Sequence, residues 1–177
     1  PRARQADLPN PRRTIPYVSS WKGRTLASWP HWDAAMPRVK GEPRGDLFLA
    51  WNESGLYGAV YWNEDRFFEA FYRDGRVPEI DLAKFELKVR GKTLVKATMG
   101  GPSGPQLDGA NLLEHKDGVR SWIVFRIHAS SMNKAELHPG SSLPFEASLS
   151  TKAMLYTMEW KADYLTEKKA PGHESPL

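Results

Sequence analysis

What most limits the folds open to this chain is a side-chain alternation of period two, repeated in short segments separated by turn residues. Leu143, Phe145, Ala147 and Leu149 alternate with Pro144, Glu146, Ser148 and Ser150, and Met154, Tyr156, Met158 and Trp160 alternate with Leu155, Thr157 and Glu159. Phe85, Leu87 and Val89 alternate with Glu86 and Lys88, turn at Arg90-Gly91-Lys92, and return through Leu94 to Met99. Over residues 119–127, Val119, Ile123, Phe125 and Ile127 share one face, while Arg120, Trp122, Val124 and Arg126 share the other. Apolar runs at 46–52 (DLFLAWN) and 55–63 (GLYGAVYWN) flank Glu53-Ser54 as a tight hairpin, and 112–114 and 119–127 bracket Asp117-Gly118, the strongest short hairpin signal here. Residues 67–72 read as one more strand, ended by Asp74-Gly75, and the Gly and Pro of 100–110 read as a loop. Residues 130–137 read as one or two helical turns stopped at His138-Pro139-Gly140. No segment holds a period of 3.6 over three turns. In a chain of 177 residues, the length of one domain, this predicts an all-β fold: an antiparallel, jelly-roll-like β-sandwich with short helical turns.

The ends differ from the body. Residues 1–16 (PRARQADLPNPRRTIP) contain four Pro and four Arg. Proline fixes φ and removes donors, so they read as an extended basic arm before a body at 17–165, with a second tail at 166–177. No signal peptide is visible, and a chain opening on Pro1 reads as a processed or trimmed product. The net charge of +4 is unevenly spread: residues 1–45 hold nine Lys/Arg against Asp7, Asp33 and Glu42, or +6, which leaves −2 on the remainder. A nucleic-acid binder carries its basic stripe on the folded body. A basic arm on a nearly neutral body points to a protein surface or anionic headgroups, with Arg2, Arg4, Arg12 and Arg13 as the arm's contacts. No apolar run approaches the roughly 18 residues of a membrane-spanning helix.

Enzymatic chemistry finds little to work with. The chain has no Cys, which removes thiolate nucleophiles and Cys-ligated metals. Glu64-Asp65, Glu69 with Asp74, and Glu114 with Asp117 beside His115 all fall at strand ends or turns, the ordinary place for solvated carboxylates. Ser130-Ser131 follows His128 without a Gly-x-Ser-x-Gly elbow and reads as a helix N-cap. The glycines of 100–104 lack the Lys-Ser/Thr of a phosphate loop. The reading is therefore non-catalytic.

Four stretches together resemble the family 9 carbohydrate-binding-module and DOMON-like β-sandwich superfamily: 26–32 (LASWPHW), 47–62 (LFLAWNESGLYGAVYW), 122–132 (WIVFRIHASSM) and 143–160, which closes in Glu-Trp. The resemblance spans about residues 15–162. It departs at 77–87 (VPEIDLAKFEL), where Asp81 and Glu86 match the family's acidic segment only loosely. The resemblance implies three ligand classes. A glycan would stack on exposed Trp29, Trp32, Trp62 or Trp122. A structural calcium ion would draw on loop oxygens of Asn63, Glu64 and Asp65. Haem b, carried by some members in respiratory redox complexes, would use Met99, Met154 or Met158 with His128 or a Lys opposite. Against these stands the reading we place first: an accessory subunit docked on a larger extracytoplasmic (periplasmic or extracellular) assembly, for which the resemblance makes a membrane redox complex one host. Trp beside Arg suits protein docking at least as well as sugar, so Trp122, Arg120 and Arg126 join the arm as partner contacts.

Overall fold

A computed structural model describes residues 2–5, 14–22, 24–28, 44–63, 83–99, 104–117, 120–132, 137–150 and 156–168. The alternating segments become strands, because only the extended backbone sends successive side chains to opposite faces. In chain order these are β1 (Arg2–Gln5), β2 (Thr14–Ile15), β3 (Arg44–Asn52), β4 (Gly55–Asn63), β5 (Ala83–Val89), β6 (Lys92–Met99), β7 (Gln106–Asp108), β8 (Asn111–Lys116), β9 (Arg120–His128), β10 (Ser142–Ser150) and β11 (Tyr156–Thr166). Two sheets result. The larger runs β1-β11-β10-β5-β6-β7, with β2 also on β11, and the smaller runs β3-β4-β9-β8. Helical structure among the described residues is limited to single 3-10 turns at Leu26–Ser28 and Ala129–Ser131.

The hairpins follow from local chemistry. Arg90 and Gly91 both take positive φ, 53° and 77°, the pair of left-handed residues that a two-residue turn needs to match the strand twist. At the β3–β4 turn the Asn52 carboxamide oxygen accepts the Ser54 amide at 2.8 Å, a side-chain substitute for a backbone turn bond.

The inner faces of both sheets share one core. Leu47, Leu49 and Trp51 of β3, Val60 and Trp62 of β4, and Ile123, Phe125 and Ile127 of β9 meet Phe85, Leu87, Phe145, Leu149 and Trp160 of the larger sheet. The outer face of the larger sheet is laced with charge, as in the Lys88–Glu86 and Lys161–Glu146 pairs at 3.2 and 3.1 Å. The smaller sheet differs: its outer face carries a second apolar cluster in which Phe48, Ala50, Tyr57, Ala59, Tyr61 and Val124 are covered by Val18, Trp21 and Leu26. That covering segment positions the candidate site.

The all-β sandwich holds, and four local expectations change. The first concerns the presumed arm. β1 pairs in parallel with β11 from Arg2↔Tyr156 to Gln5↔Glu159, and β2 pairs in parallel at Leu165↔Thr14 and Thr166↔Ile15. Ile15 is fully buried, and its carbonyl accepts the Glu167 amide at 2.8 Å. The described parts of 1–16 therefore belong to the sandwich, and the sheet is not wholly antiparallel. Second, Thr166 is buried and the Glu167 carbonyl accepts the Trp51 indole N–H at 3.0 Å, so the body does not stop at 165. Third, the loop at 100–110 contains β7, which pairs with β6 along Lys96↔Asp108 to Thr98↔Gln106. Three residues are too short to show an alternation. Fourth, the 3-10 turn after β9 is capped by His128, whose Nδ1 accepts the Ser130 amide, rather than by a Ser hydroxyl. The expected strand at 67–72 lies outside the described residues.

Candidate functional site

The site forms where the segment at 14–28 crosses the outer face of the smaller sheet. The Trp51 amide donates to the Pro16 carbonyl and the Val18 amide to the Trp51 carbonyl, both at 3.0 Å, which stitches the segment to the end of β3. Beyond that anchor Trp21 stacks on Tyr57 of β4, with ring centroids 5.5 Å apart and planes 24° from parallel. The chain then turns: the Lys22 amide donates to Ser20 Oγ at 3.1 Å and Arg24 Nε donates to the Ser20 carbonyl at 2.7 Å. At the far side the Leu26 amide donates to Glu114 Oε2 of β8 at 3.0 Å. Tyr57 is held in turn by Asn52, whose amide nitrogen donates to the phenol oxygen at 3.3 Å.

Between this strap and the sheet lies an open groove of about 480 Å³. Trp21 and Tyr57 form its apolar wall, Asn52 and Ser54 its polar end, and Leu113 of β8 its outer margin. Its charged lining is cationic: Lys22, Arg24 and Arg126, with no carboxylate among the described residues that line it. Arg126 stands opposite Tyr57 in the β4–β9 register and opposite Asn111 of β8. Its Nε is buried without an acceptor, and no described carboxylate pairs with it. A buried N–H donor left without an acceptor is costly.

Two carboxylates of neighbouring segments are engaged elsewhere. Glu114 accepts the Leu26 amide, and Glu53 accepts the Tyr17 hydroxyl at 2.6 Å. Tyr17 packs edge-on against Trp51, with centroids 5.0 Å apart. Burial, reinforced by the hydrogen bond to Glu53 and its charge, pushes the Tyr17 phenol up to about 12.

The residues expected from the sequence are scattered. Trp62 is corrected: it is 3% exposed, because Leu56, Val60 and Trp62 share the inward face of β4, and it is core rather than a platform. Trp122 is half-buried against the second cluster, and the Lys116 ammonium lies 5.1 Å from the centroid of its ring, so that ring is not a bare surface for sugar. Met99 and Met158 are buried in the inter-sheet core on β6 and β11, with β5 and β10 between them. Three strand spacings, about 14 Å, separate those strands, and His128 is exposed with its Nδ1 turned to Ser130. These residues do not make an axial pair for haem. Trp29, Trp32, Arg12, Arg13, Glu64, Asp65 and Met154 lie outside the described residues, and so do the Glu69 and Asp74 carboxylates. Arg2, Arg4, Arg120 and Asn63 are described by their backbones, in β1, at the start of β9 and at the end of β4. Among the described residues no three His, Asp or Glu side chains gather as a metal site. Ser130 Oγ lies 3.0 Å from His128 Nδ1, a nucleophile-to-base distance, yet both are exposed and no further group among the described residues orients the ring.

Of the expected partner contacts, then, Trp122 and Arg126 stand on one outer face, while Trp21, Tyr57, Lys22 and Arg24 were not singled out from the sequence. The parity of β4 already put Tyr57 on that face; the missing signal was the strap that brings in Trp21. No helix among the described residues is long and apolar enough to cross a membrane. No family model matches the chain, and no curated protein matches it.

Proposed function

We propose that the protein is a non-catalytic accessory module that docks onto a larger protein assembly through β8 and the outer face beside it. One observation carries this reading: β8 ends the smaller sheet, and it exposes Leu112 and Leu113 there. Among the described residues no strand pairs with its far side, and this edge is the one we assign to another chain. Trp122 and Arg126 of the neighbouring strand are the residue types that dominate protein contacts. The outer face of the larger sheet carries solvated ion pairs and one exposed leucine, Leu165, where β8 presents two in succession. The first-choice route through an N-terminal arm gives way to this edge, because the backbone of residues 2–5 and 14–15 is used on β11. The superfamily resemblance adds an extracytoplasmic host, a membrane redox complex among the options.

The test is a photo-crosslinking side chain placed at Leu113 of the full chain in its native cell, with the same group at Thr157 on the outer face of the other sheet. The expected result is one discrete adduct from Leu113 and none from Thr157. No adduct at Leu113, or the same adducts from both positions, would overturn the proposal.

A further inference from the structure

We propose that the groove bounded by Trp21, Tyr57 and Leu113 is a carboxylate-binding site that receives an acidic, extended segment of the docking partner. This rests on the reading above and adds the partner's chemistry. Three observations converge. Lys22, Arg24 and Arg126 line the groove, and none is paired with a carboxylate among the described residues. Arg126 is the one held in place: it rises from the middle of a paired strand, and its buried Nε lacks an acceptor. A planar guanidinium donates two parallel hydrogen bonds to a carboxylate, a geometry that an ammonium cannot copy; with Nε buried, the terminal Nη pair of Arg126 is the one to make that contact in the groove it lines.

The third observation selects a peptide over a small free anion. Leu113, which lines the groove, belongs to β8 at the end of the smaller sheet. A chain running along that edge lies next to the groove mouth, where every second side chain points to the same outer face as Arg126. An Asp or Glu at such a position reaches the guanidinium, and the apolar neighbours of that segment cover the exposed leucines. Lys22 is exposed and Arg24 half-buried. They add long-range attraction and hence association rate, while Arg126 supplies the bidentate contact.

Titration of the full chain at low salt with a short fluorescent peptide of alternating Glu and Leu tests this, with a Gln-for-Glu peptide and citrate as further arms. The acidic peptide binds saturably and weakens as salt is raised; the Gln peptide does not bind. Arg126→Ala reduces affinity about tenfold or more, and Arg126→Lys recovers only part of it. Because Arg126 sits in β9, a Lys22→Glu variant, whose side chain is exposed and whose bond to Ser20 comes from its backbone amide, gives the same direction without a folding question. A Lys84→Ala/Lys96→Ala variant on the opposite sheet leaves binding unchanged. The inference is overturned by no saturable binding of the acidic peptide, by equal losses from the Lys84/Lys96 variant, or by citrate binding as tightly as the peptide. If crosslinking from Leu113 succeeds while Arg126→Ala leaves the adduct and the titration unchanged, docking stands and the carboxylate site falls.

Discussion

Gly58 offers the sharpest check on how the two sheets pack. It stands directly opposite Phe125 in the β4–β9 register, on the inward face. A Cβ at that position would lie 2.3 Å from Phe125 Cζ and 2.7 Å from Cε2, well inside contact distance. The ring cannot simply swing away, because Phe125 is fully buried and tilted against Phe85 of the other sheet at 5.8 Å between centroids. Gly58→Ala therefore forces the ring into a core that is already filled, a cost of about 1–3 kcal/mol. Against this, Ala in a strand interior gains roughly 0.5–1 kcal/mol over Gly in chain entropy. The net loss is about 1–2 kcal/mol, which for a domain of this size lowers Tm by about 2–8 °C. Leu at position 125 has no atoms where Cζ and Cε2 lie, so in a Phe125→Leu background the same substitution becomes neutral or mildly stabilising. Urea unfolding followed by the fluorescence of the seven tryptophans, Trp51 and Trp160 among them buried in the core, measures all four corners of the cycle, with an expected coupling of about 2 kcal/mol. A Gly58→Ala protein more stable than the parent, or an equal cost in both backgrounds, would refute the packing argument.

Other outcomes follow from single contacts. Deleting residues 1–16 removes buried Ile15 and the bonds from the Trp51 amide to Pro16 and from the Glu167 amide to Ile15. The expected loss is roughly 3–6 kcal/mol, and an unchanged melting midpoint would show that this segment is an independent arm after all. The raised Tyr17 phenol means that the folded state holds that proton more tightly than the unfolded chain does. Its stabilisation is complete below pH about 10 and disappears as pH rises towards 12, a difference of about 1–3 kcal/mol; the gap between wild type and Tyr17→Phe should close across that window, and a constant gap would be contrary. Thr166→Val deletes the acceptor of the Ser141 amide at 2.8 Å and the donor to the His138 carbonyl at 2.6 Å, and chemical denaturation should register about 1–3 kcal/mol. Lys161→Ala, by contrast, breaks an exposed pair with Glu146 and should shift stability by no more than about 0.5 kcal/mol.

The strands and their faces were legible in the residues, because side-chain direction along an extended backbone depends on position alone. Phe85, Leu87 and Val89 turn inward as their spacing requires, and β9 divides Ile123, Phe125 and Ile127 from Trp122, Val124 and Arg126 as read. The same parity places Trp62 in the core, and attending to its position at the end of a strand rather than its parity is what misdirected the expectation of an exposed platform. What the chain could not reveal locally was which segments meet. Proline and arginine in residues 1–16 describe an arm equally well whether it waves in solvent or lies on β11, since the choice turns on partners some 150 residues away in sequence. The groove has the same origin. Tyr57 and Arg126 are neighbours only by cross-strand register, and Trp21 reaches them only because backbone bonds at Pro16 and Val18 tie its segment to Trp51. Local sequence sets the direction of each side chain; long-range pairing, which is a property of the whole chain's free energy, decides its company.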